Sequence, residues 1–507
     1  MSANDDMANR HLLAADGLES TLQSEEQYVR IVISERWSSS RAGQLLTACL
    51  VNLLCRQVKI VRHIEIVALP TRRLIRLPSG DTAESFPACL QELAEWAVNG
   101  AIAVSIARTG VAADHTIYVG DPGSELIPDC GQSLVVIGDG WRAWVGDVPR
   151  SPGTISPTSG GPLGPFLAAT LAAGEIFKRS RGLRRGKFLS ADGYSLWSGG
   201  TSSEWNALVD GPAVSGIFLP PTHIVGAGAV ANALGLVLAN LELSSAYLIP
   251  IDDDKYDKTN LNRCLLAGWQ DVDQPKVDAI ARALRGAGLE AFPFNGTIRS
   301  YVAKARIGLR SDVARRVDDL NFDVVASCVD KSISRQDIQG LEPHLLFGGS
   351  TLDLQAKANW YTGRLGSACL ACFNPAERNG EMVRSLESQL RMMPTDERGR
   401  FLTQHGLDAQ AVNEYLAGAR CGGLGESELK DFATRLPPEF STGFVSLGAG
   451  LMLAAALLRG TVFLESAPSR RDMCTLNYRN GGFADAGLGV DDACEWNCQR
   501  RGRAAAG

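Results

Sequence analysis

The sequence predicts an α/β protein with two doubly wound halves and a helical insertion in the second half. Strand-like apolar runs alternate with helical patterns in both halves, which is typical of parallel sheets covered by helices. Each half also contains a helix rich in small apolar residues, predicted at Pro162–Lys178 and at Thr442–Arg459. The length of 507 residues is too great for one ordinary core and favours about three domains.

The first half has the elements of a doubly wound sheet but lacks a nucleotide loop. Its predicted strands and helices are Tyr28–Ser34, Gln44–Arg56, Val58–Leu69, Phe86–Val98 and Ser133–Gly138. After the first strand, bulky Trp37 stands where backbone would have to approach a phosphate. We therefore expect a degenerate, structural domain over residues 1–200. It contains a linker-like stretch at Pro149–Gly161 that is rich in Pro, Ser and Gly.

The second half begins near Pro220 and continues to the end of the chain. Its predicted elements are a strand ending at Val225, then Val230–Leu241, Ala246–Ile251, Lys276–Gly286, Asp323–Cys328 and Leu345–Gly349. The pattern then turns helical and polar. We divide this half into a nucleotide-binding domain at 201–373, a helical insertion at 374–440 and a C-terminal completion of the domain at 441–507.

Charge and hydropathy argue against two classes of partner. The net charge of −6 argues against a nucleic-acid binder, which needs a clustered positive face. Met1–Arg30 is polar and acidic and does not have the pattern of a secretory signal. The apolar segment Gly443–Leu458 is short and glycine-rich, so we interpret it as a buried helix and expect no membrane partner. We expect a cytoplasmic protein whose twelve cysteines are mostly reduced.

A glycine turn opens the second half, in the stretch IVGAGAVANALG that starts at Ile224. Gly226 allows a tight turn, and Gly228 lets backbone N–H groups approach an anion at the next helix N-terminus. The third small residue is Ala231. This turn alone is compatible with NAD, FAD or ATP.

Polar residues after the second strand bear on which nucleotide the glycine turn would bind. Asp252 can accept hydrogen bonds from ribose hydroxyls, and Asp254 follows it, whereas we interpret Asp253 as part of a solvated turn.

Three donors follow these carboxylates. Asn260 and Arg263 are three residues apart, on one face of a short helical turn, and Lys276 lies one segment later. Such donors suit a site that expels pyrophosphate, because negative charge builds on the bridging oxygen. Asp330 follows a later strand and is a candidate ligand for Mg²⁺.

Taken together, these residues resemble the ThiF/MoeB and ubiquitin-activating adenylyltransferase superfamily over about residues 215–375. The shared pattern consists of Gly226, Gly228, Asp252, Asp254, Asn260, Arg263, Lys276 and Asp330. The layout is most similar to a bacterial ubiquitin-like activating enzyme of the Bil antiphage type. The sequence departs from the family in having fewer loop glycines and in having Cys264 where glutamine is usual.

This resemblance implies an activity, its cofactors and its partners. The activity is ATP- and Mg²⁺-dependent adenylation of the C-terminal glycine of a ubiquitin-like protein, with a conjugating-enzyme-like acceptor in a bacterial antiphage pathway. In the family an arginine from the partner half reaches the phosphates, which makes Arg10 the candidate here. The resemblance also implies a pseudodimer within one chain, which could in turn form a homodimer.

Two groups of cysteines carry further predictions. Cys369 and Cys372 have zinc-knuckle spacing, and with Cys494 and Cys498 they would complete a Zn²⁺ site of four thiolates; the alternative is free or redox thiols. Cys421, in the insertion beside Arg420, is the candidate for a thioester. Weaker rivals for that role are Cys264 and Cys474. The cysteines in apolar patterns, interpreted as core residues, are Cys49, Cys55, Cys89 and Cys328.

Three other functions remain open at this point. One is a sulfur-carrier or peptide-modifying adenylyltransferase that forms no thioester. Another is an NAD(P)-dependent oxidoreductase, which the glycine turn and Asp252 also fit. The third is a catalytically inactive binding scaffold.

Overall fold

The structure is a computed structural model that describes most of the chain. The described residues are 3–8, 10–13, 18, 26–80, 83, 85–106, 111–122, 132–306, 322–361, 367–373, 379–404, 407–417, 440–469, 471–491 and 494. The chain divides into two compact units, one formed by 1–373 with 440–507 and the other by 374–439. Both sheets belong to the first unit.

The first sheet has eight strands. Strands β1 to β8 are Gln27–Ile33, Val61–Val67, Ala103–Ile106, His115–Val119, Gln132–Asp139, Arg142–Asp147, Ala191–Ser195 and Thr201–Ser202. Their order across the sheet is β3-β2-β1-β4-β5-β6-β7-β8. The pairs from β3 to β5 are parallel, and those from β5 to β8 are antiparallel.

The second sheet repeats this plan. Strands β9 to β17 are Phe218–Val225, Ser245–Asp252, Glu290–Ala291, Phe294–Asn295, Val324–Ser327, Leu345–Leu352, Gln355–Tyr361, Met473–Asn477 and Gly482–Ala486. Their order is β11-β10-β9-β13-β14-β15-β16-β17, with β12 also paired to β10. Again a parallel block is followed by antiparallel strands, here from β14 onward. The two halves are therefore topological duplicates.

Helices connect the strands in matching positions. Helices α1 to α14 are Ala3–Ala8, Glu35–Ser38, Arg41–Leu54, Phe86–Val98, Leu163–Arg181, Ala229–Asn240, Lys276–Gly286, Ile298–Arg306, Ser332–Gln339, Leu370–Phe373, Asn379–Met392, Thr395–Gln404, Ala409–Leu416 and Gly443–Thr461. Helices α3 and α6 follow the first strand of their halves, and α4 and α7 follow the second. Helix α5 lies between β6 and β7, as α14 lies between β15 and β16.

The duplicated helices α5 and α14 pack against each other between the two sheets. Phe177 of α5 meets Phe444 of α14 with ring centroids 5.3 Å apart. A Cβ added at Gly450 would lie 2.4 Å from the Cβ of Ala233, so this glycine lets α14 approach α6 closely. Among the described residues α14 is the one helix long and apolar enough to cross a membrane, but 94% of its apolar window is buried. The prediction of a buried helix is confirmed.

The second unit contains α11, α12 and α13. Leu390, Leu402, Val412 and Leu416 form a small core of their own there. Asp408 caps α13 by accepting the backbone N–H groups of Gln410 and Ala411.

Two sequence interpretations need correction. The stretch Pro149–Gly161 is not a linker, because the chain returns to the first sheet at β7 and β8. Asp139 fastens the stretch by accepting the backbone N–H groups of Thr158 and Ser159 at 3.1 and 2.8 Å. The predicted elements also omitted β3, β4, β6, β7, β8 and β15.

Candidate functional site

The turn between β9 and α6 has the geometry of an anion loop. Gly226 has φ +89°, and a Cβ there would lie 2.9 Å from the carbonyl of Cys328, so the turn requires glycine. Gly228 is the N-cap of α6, and a Cβ there would meet no atom within 4 Å. The open space beside the helix N-terminus lets an anion approach the backbone N–H groups.

Asp252, at the end of β10, holds this turn in place. Its carboxylate accepts the backbone N–H of Ala227 and, at 2.7 Å, that of Asp254. Burial raises the pKa of Asp252, although these hydrogen bonds and the charge of Lys276 act in the opposite direction. The carboxylates of Asp252, Asp253 and Asp254 all have an oxygen within 4.8 Å of one another. A ribose contact for Asp252 stays a prediction.

Asp254 and Lys276 form an ion pair with an N···O distance of 2.9 Å. The backbone N–H of Lys276 also donates to the carbonyl of Asp254. Burial by itself would lower the pKa of Lys276, but the hydrogen bond and charge of Asp254 raise it. Lys276 is therefore held as a cation at the first position of α7.

Asn260 and Arg263 belong to one continuous turn. Asn260 ends the 3₁₀ turn Lys258–Asn260, and its side-chain oxygen accepts the backbone N–H of Asp257 at 3.2 Å. Arg263 donates to the carbonyl of Thr259 at 2.6 Å and to Oδ1 of Asn262 at 2.8 Å. The amide oxygen of Asn260 is thus engaged in capping, which the sequence did not predict.

The N-terminal segment of the first half approaches the same turn. Helix α1 contacts the 3₁₀ turn, and the carbonyl of Arg10 accepts the backbone N–H of Ser441. Burial lowers the pKa of Arg263, the nearby charge of Arg10 lowers it further, and Asp330 raises it. Arg10 and Asp330 therefore each lie within electrostatic reach of Arg263. Asp330 is exposed after β13.

In the first half the equivalent pocket is filled. Trp37 is 1% exposed and stands after β1, where the second half has its glycine turn. Its ring packs against Gly120, which follows β4, and its Nε1 donates to the carbonyl of Ile155 at 3.2 Å. Ala68 and Leu69 follow β2 instead of carboxylates. This arrangement agrees with the interpretation of a degenerate half.

Three of the four predicted zinc ligands come together. The Sγ atom of Cys369 lies 3.7 Å from that of Cys372 and 3.6 Å from that of Cys494. A tetrahedral zinc with Zn–S bonds of roughly 2.3 Å separates its sulfurs by roughly 3.8 Å, so these thiols fit the ion. Burial acts to raise the pKa of Cys372, but hydrogen bonds from neighbouring backbone and from the other two thiols lower it. Cys498 lies outside the described residues.

The candidate thioester cysteine, Cys421, also lies outside the described residues. Of its two rivals, Cys264 is 2% exposed, and burial raises its pKa, so its thiol is poorly suited to attack. Cys474 is half-buried on β16, with its Sγ 3.5 Å from the sulfur of Met452. The four cysteines expected in the core, Cys49, Cys55, Cys89 and Cys328, are all buried.

Sequence reasoning missed the groups that support the site from the first half. Arg56 and Asn52, at the end of α3, donate hydrogen bonds to backbone carbonyls of the 261–267 loop. His11 contacts the side chain of Asn262. No local pattern marks these residues, because their partners lie about 200 or more positions away.

Two family models match the chain. The model for the ThiF family matches residues 221–458. The second half is a ThiF-family domain. The model described as the BilD N-terminal domain matches residues 28–189, within the first half. The predicted family is therefore confirmed, as is the fold class of two α/β halves.

Individual proteins resemble the chain as well. It is 26% identical over 473 residues to the uncharacterized protein y4jF of Sinorhizobium fredii (strain NBRC 101917 / NGR234), covering 88% of this chain and 84% of that protein. Structures of E. coli MccB, solved with ATP or with AMPCPP and MccA, match at 13–14% identity with TM-scores of 0.35. These matches cover 54% of this chain and 65–66% of MccB, so the chain spans just under two thirds of that protein.

Proposed function

We propose that the ThiF domain uses ATP to adenylate the C-terminal glycine of a ubiquitin-like protein. The observation that carries the proposal is the convergence of an anion loop, two half-buried cations and an exposed carboxylate on one edge of the second sheet. Gly226, Arg263, Lys276 and Asp330 all lie beyond the carboxyl ends of β9, β10 and β13 or on the turns that follow them. In open α/β sheets, ligands bind at this edge.

Each side chain then has a role in the reaction. The triphosphate lies at the N-terminus of α6, where Gly228 leaves room. Asp252 binds the ribose, and Asn260 is a donor on the phosphate side. The glycine carboxylate attacks the α-phosphate. Arg263 and Lys276 stabilise the charge that builds as pyrophosphate leaves. Asp330 would hold Mg²⁺, which would neutralise phosphate charge when bound.

Arg10 adds a third cation from the first half. Its charge acts on Arg263, and two like charges at close range favour a polyanion between them. The chain thereby supplies from its own N-terminus the arginine that the family resemblance assigns to a partner half. The ion pair between Asp254 and Lys276 would weaken when phosphate oxygens compete for the same ammonium.

The second proposed step is capture of the acyl adenylate by the thiol of Cys421. The thiolate forms a thioester with the glycine carbonyl, and AMP leaves. The BilD N-terminal domain match supports a Bil-type ubiquitin-like pathway with a conjugating-enzyme-like acceptor and a role in antiphage defence. The three clustered thiols, with Cys498, would hold a structural Zn²⁺.

The test is ATP–pyrophosphate exchange stimulated by a small protein that ends in glycine. Lys276→Ala should lower the exchange rate roughly 100-fold, because a cation facing the leaving group is lost. Lys255→Ala, an exposed lysine in the same connection, is the matched control and should keep the rate. Wild-type protein that binds ATP yet shows no exchange with any such partner would contradict the proposal.

A second variant separates conjugation from the other adenylation chemistries. Cys421→Ala should abolish a thiol-sensitive adduct with the partner while exchange continues. If no adduct forms in the wild type although exchange is robust, the sulfur-carrier or peptide-modifying alternative is correct. Hydride transfer to NAD(P) without exchange would support the oxidoreductase alternative.

A further inference from the structure

The end of α3 in the first half is bonded to the loop of the second half that carries Arg263. Arg56 is 1% exposed, and its guanidinium donates to the carbonyls of Leu261 and Ala267. Its Nε donates to Oδ1 of Asn52 at 2.8 Å. The Nδ2 of Asn52 donates in turn to the carbonyl of Leu265 at 3.1 Å.

These hydrogen bonds hold the backbone at positions that precede and follow Arg263 in the sequence. The bonded carbonyls belong to residues 261, 265 and 267, so the backbone is held before and after Arg263. Buried carbonyls need partners, and a loop without regular structure cannot supply them all from within. Here two side chains of the other half supply them.

The guanidinium is confined to this position. Its Cζ lies 5.8 Å from the centre of the Trp96 ring, which covers it. Leaving a buried charge without its hydrogen bonds is strongly destabilising, so the guanidinium and the carbonyls that it binds fix each other's geometry. The fixed loop orients the Arg263 side chain, whose own bonds to Thr259 and Asn262 stay within the same turn.

We propose that Arg56, aided by Asn52, is a positioning residue through which the first half holds the phosphate-binding loop of the second half. The inference rests on the proposed nucleotide site. The degenerate half thereby has a specific role, since its α3 sets the geometry of Arg263 without contacting the nucleotide. A ThiF domain deprived of this contact keeps its phosphate ligands but loses their alignment.

The test compares two substitutions in one turn of the full-length protein. Arg56→Met removes the donors to the loop and keeps an apolar side chain against Trp96. Gln57→Met is the matched control, because buried Gln57 donates to the carbonyl of Ala173 within the first half. Both variants should lower the melting temperature.

Only Arg56→Met should change the site. We expect its dissociation constant for Mg²⁺·ATP, measured by calorimetry, to rise at least tenfold, and amide hydrogen exchange across residues 258–268 to accelerate. Arg56→Lys should partly restore the ATP affinity and the slow hydrogen exchange, since an ammonium can still donate to a carbonyl. Asn52→Ala, which removes one carbonyl partner, provides a milder variant if Arg56→Met does not fold.

Two results would overturn the inference. One is unchanged exchange and ATP affinity in the Arg56 and Asn52 variants. The other is an equal loss in Gln57→Met, which would show a general effect of stability. If wild-type protein binds no ATP, the proposed function fails, whereas the hydrogen-exchange comparison still decides whether Arg56 holds the loop.

Discussion

Lys276 shows how a single residue of the candidate site is kept in its charged form. A cation at the first position of a helix opposes the positive end of the helix dipole. Asp254 offsets this by pairing with Lys276 through both side chain and backbone. The position of this charge is therefore determined by its contacts with Asp254, which lies 22 residues earlier in the sequence.

Buried histidines give the protein a pH dependence at the residue scale. Burial lowers the pKa of His11, His115 and His223 from 6.5 to about 4. A lowered folded-state pKa means that folding favours the neutral imidazole. The contribution of these neutral histidines to the free energy of unfolding is therefore complete above pH 6.5 and is lost as the pH falls from 6.5 toward 4.

The melting temperature should accordingly fall across that range, with up to about 1.4 kcal/mol per pH unit lost for each histidine. His223→Phe should make the melting temperature less dependent on pH, because it removes one titrating group. The phenylalanine ring can keep the packing on Phe322, whose ring centroid lies 4.6 Å from that of His223. His344→Phe, at a histidine that is not buried, is the control. A flat profile in the wild type would refute this prediction.

Among the secondary-structure elements, the turn between β9 and α6 contains one glycine expected to matter for stability and another expected to matter for ATP binding. Gly226→Ala places a Cβ at φ +89° and against the Cys328 carbonyl, so it should lower the free energy of unfolding by roughly 1–3 kcal/mol. Gly228→Ala meets no protein atom and should leave stability nearly unchanged while weakening ATP binding, because its methyl group takes the space of a phosphate.

Urea unfolding and ATP titration of the two variants measure these effects. The reverse pattern, with Gly228→Ala unfolding the protein and Gly226→Ala tolerated, would mean that the turn has another geometry.

The cluster of Cys369, Cys372 and Cys494 brings the start of α10 next to the C-terminal segment. We expect about one zinc per chain in purified protein, and its loss in Cys369→Ser or Cys494→Ser, because each removes one thiolate ligand. Cys474→Ser, outside the cluster, should keep the metal. Elemental analysis of the three variants decides, and a wild type free of zinc would exclude the site.

In the molecule as a whole, two copies of one topology pack together, and the described residues place the candidate site in the second copy. Their long helices, α5 and α14, meet at the centre, as subunits of a symmetric dimer would. Only the second copy keeps the glycine turn and the carboxylates, whereas Trp37 fills the first. In this arrangement the first copy would serve as a scaffold that supplies Arg10 and Arg56 to the proposed site.

The chain should therefore bind one ATP. Calorimetry with Mg²⁺·ATP is expected to give a stoichiometry of one, and Arg263→Ala should abolish that event, while Arg36→Ala beside Trp37 should not affect it. A second binding event that survives Arg263→Ala would show that the first half also holds nucleotide.

Much of the site could be predicted from the sequence because its groups follow strands in a set order. The glycine turn, Asp252, Asp254 and Lys276 are each within a few residues of a strand or helix end, and parallel strands bring such ends to one edge. The support from Asn52, Arg56 and His11 could not be predicted, since hydrogen bonds over about 200 residues leave no periodic trace.

The α/β class, the family and the order of the residues proposed to bind phosphate could be predicted from the sequence, because these depend on local propensity and on spacing along the chain. Long-range packing instead decides that Pro149–Gly161 is a loop of the first sheet, that Cys494 meets the Cys369 and Cys372 pair, and that Arg56 is bonded to the loop that carries Arg263. Those facts depend on which distant segments pack together, and packing is set by the whole core.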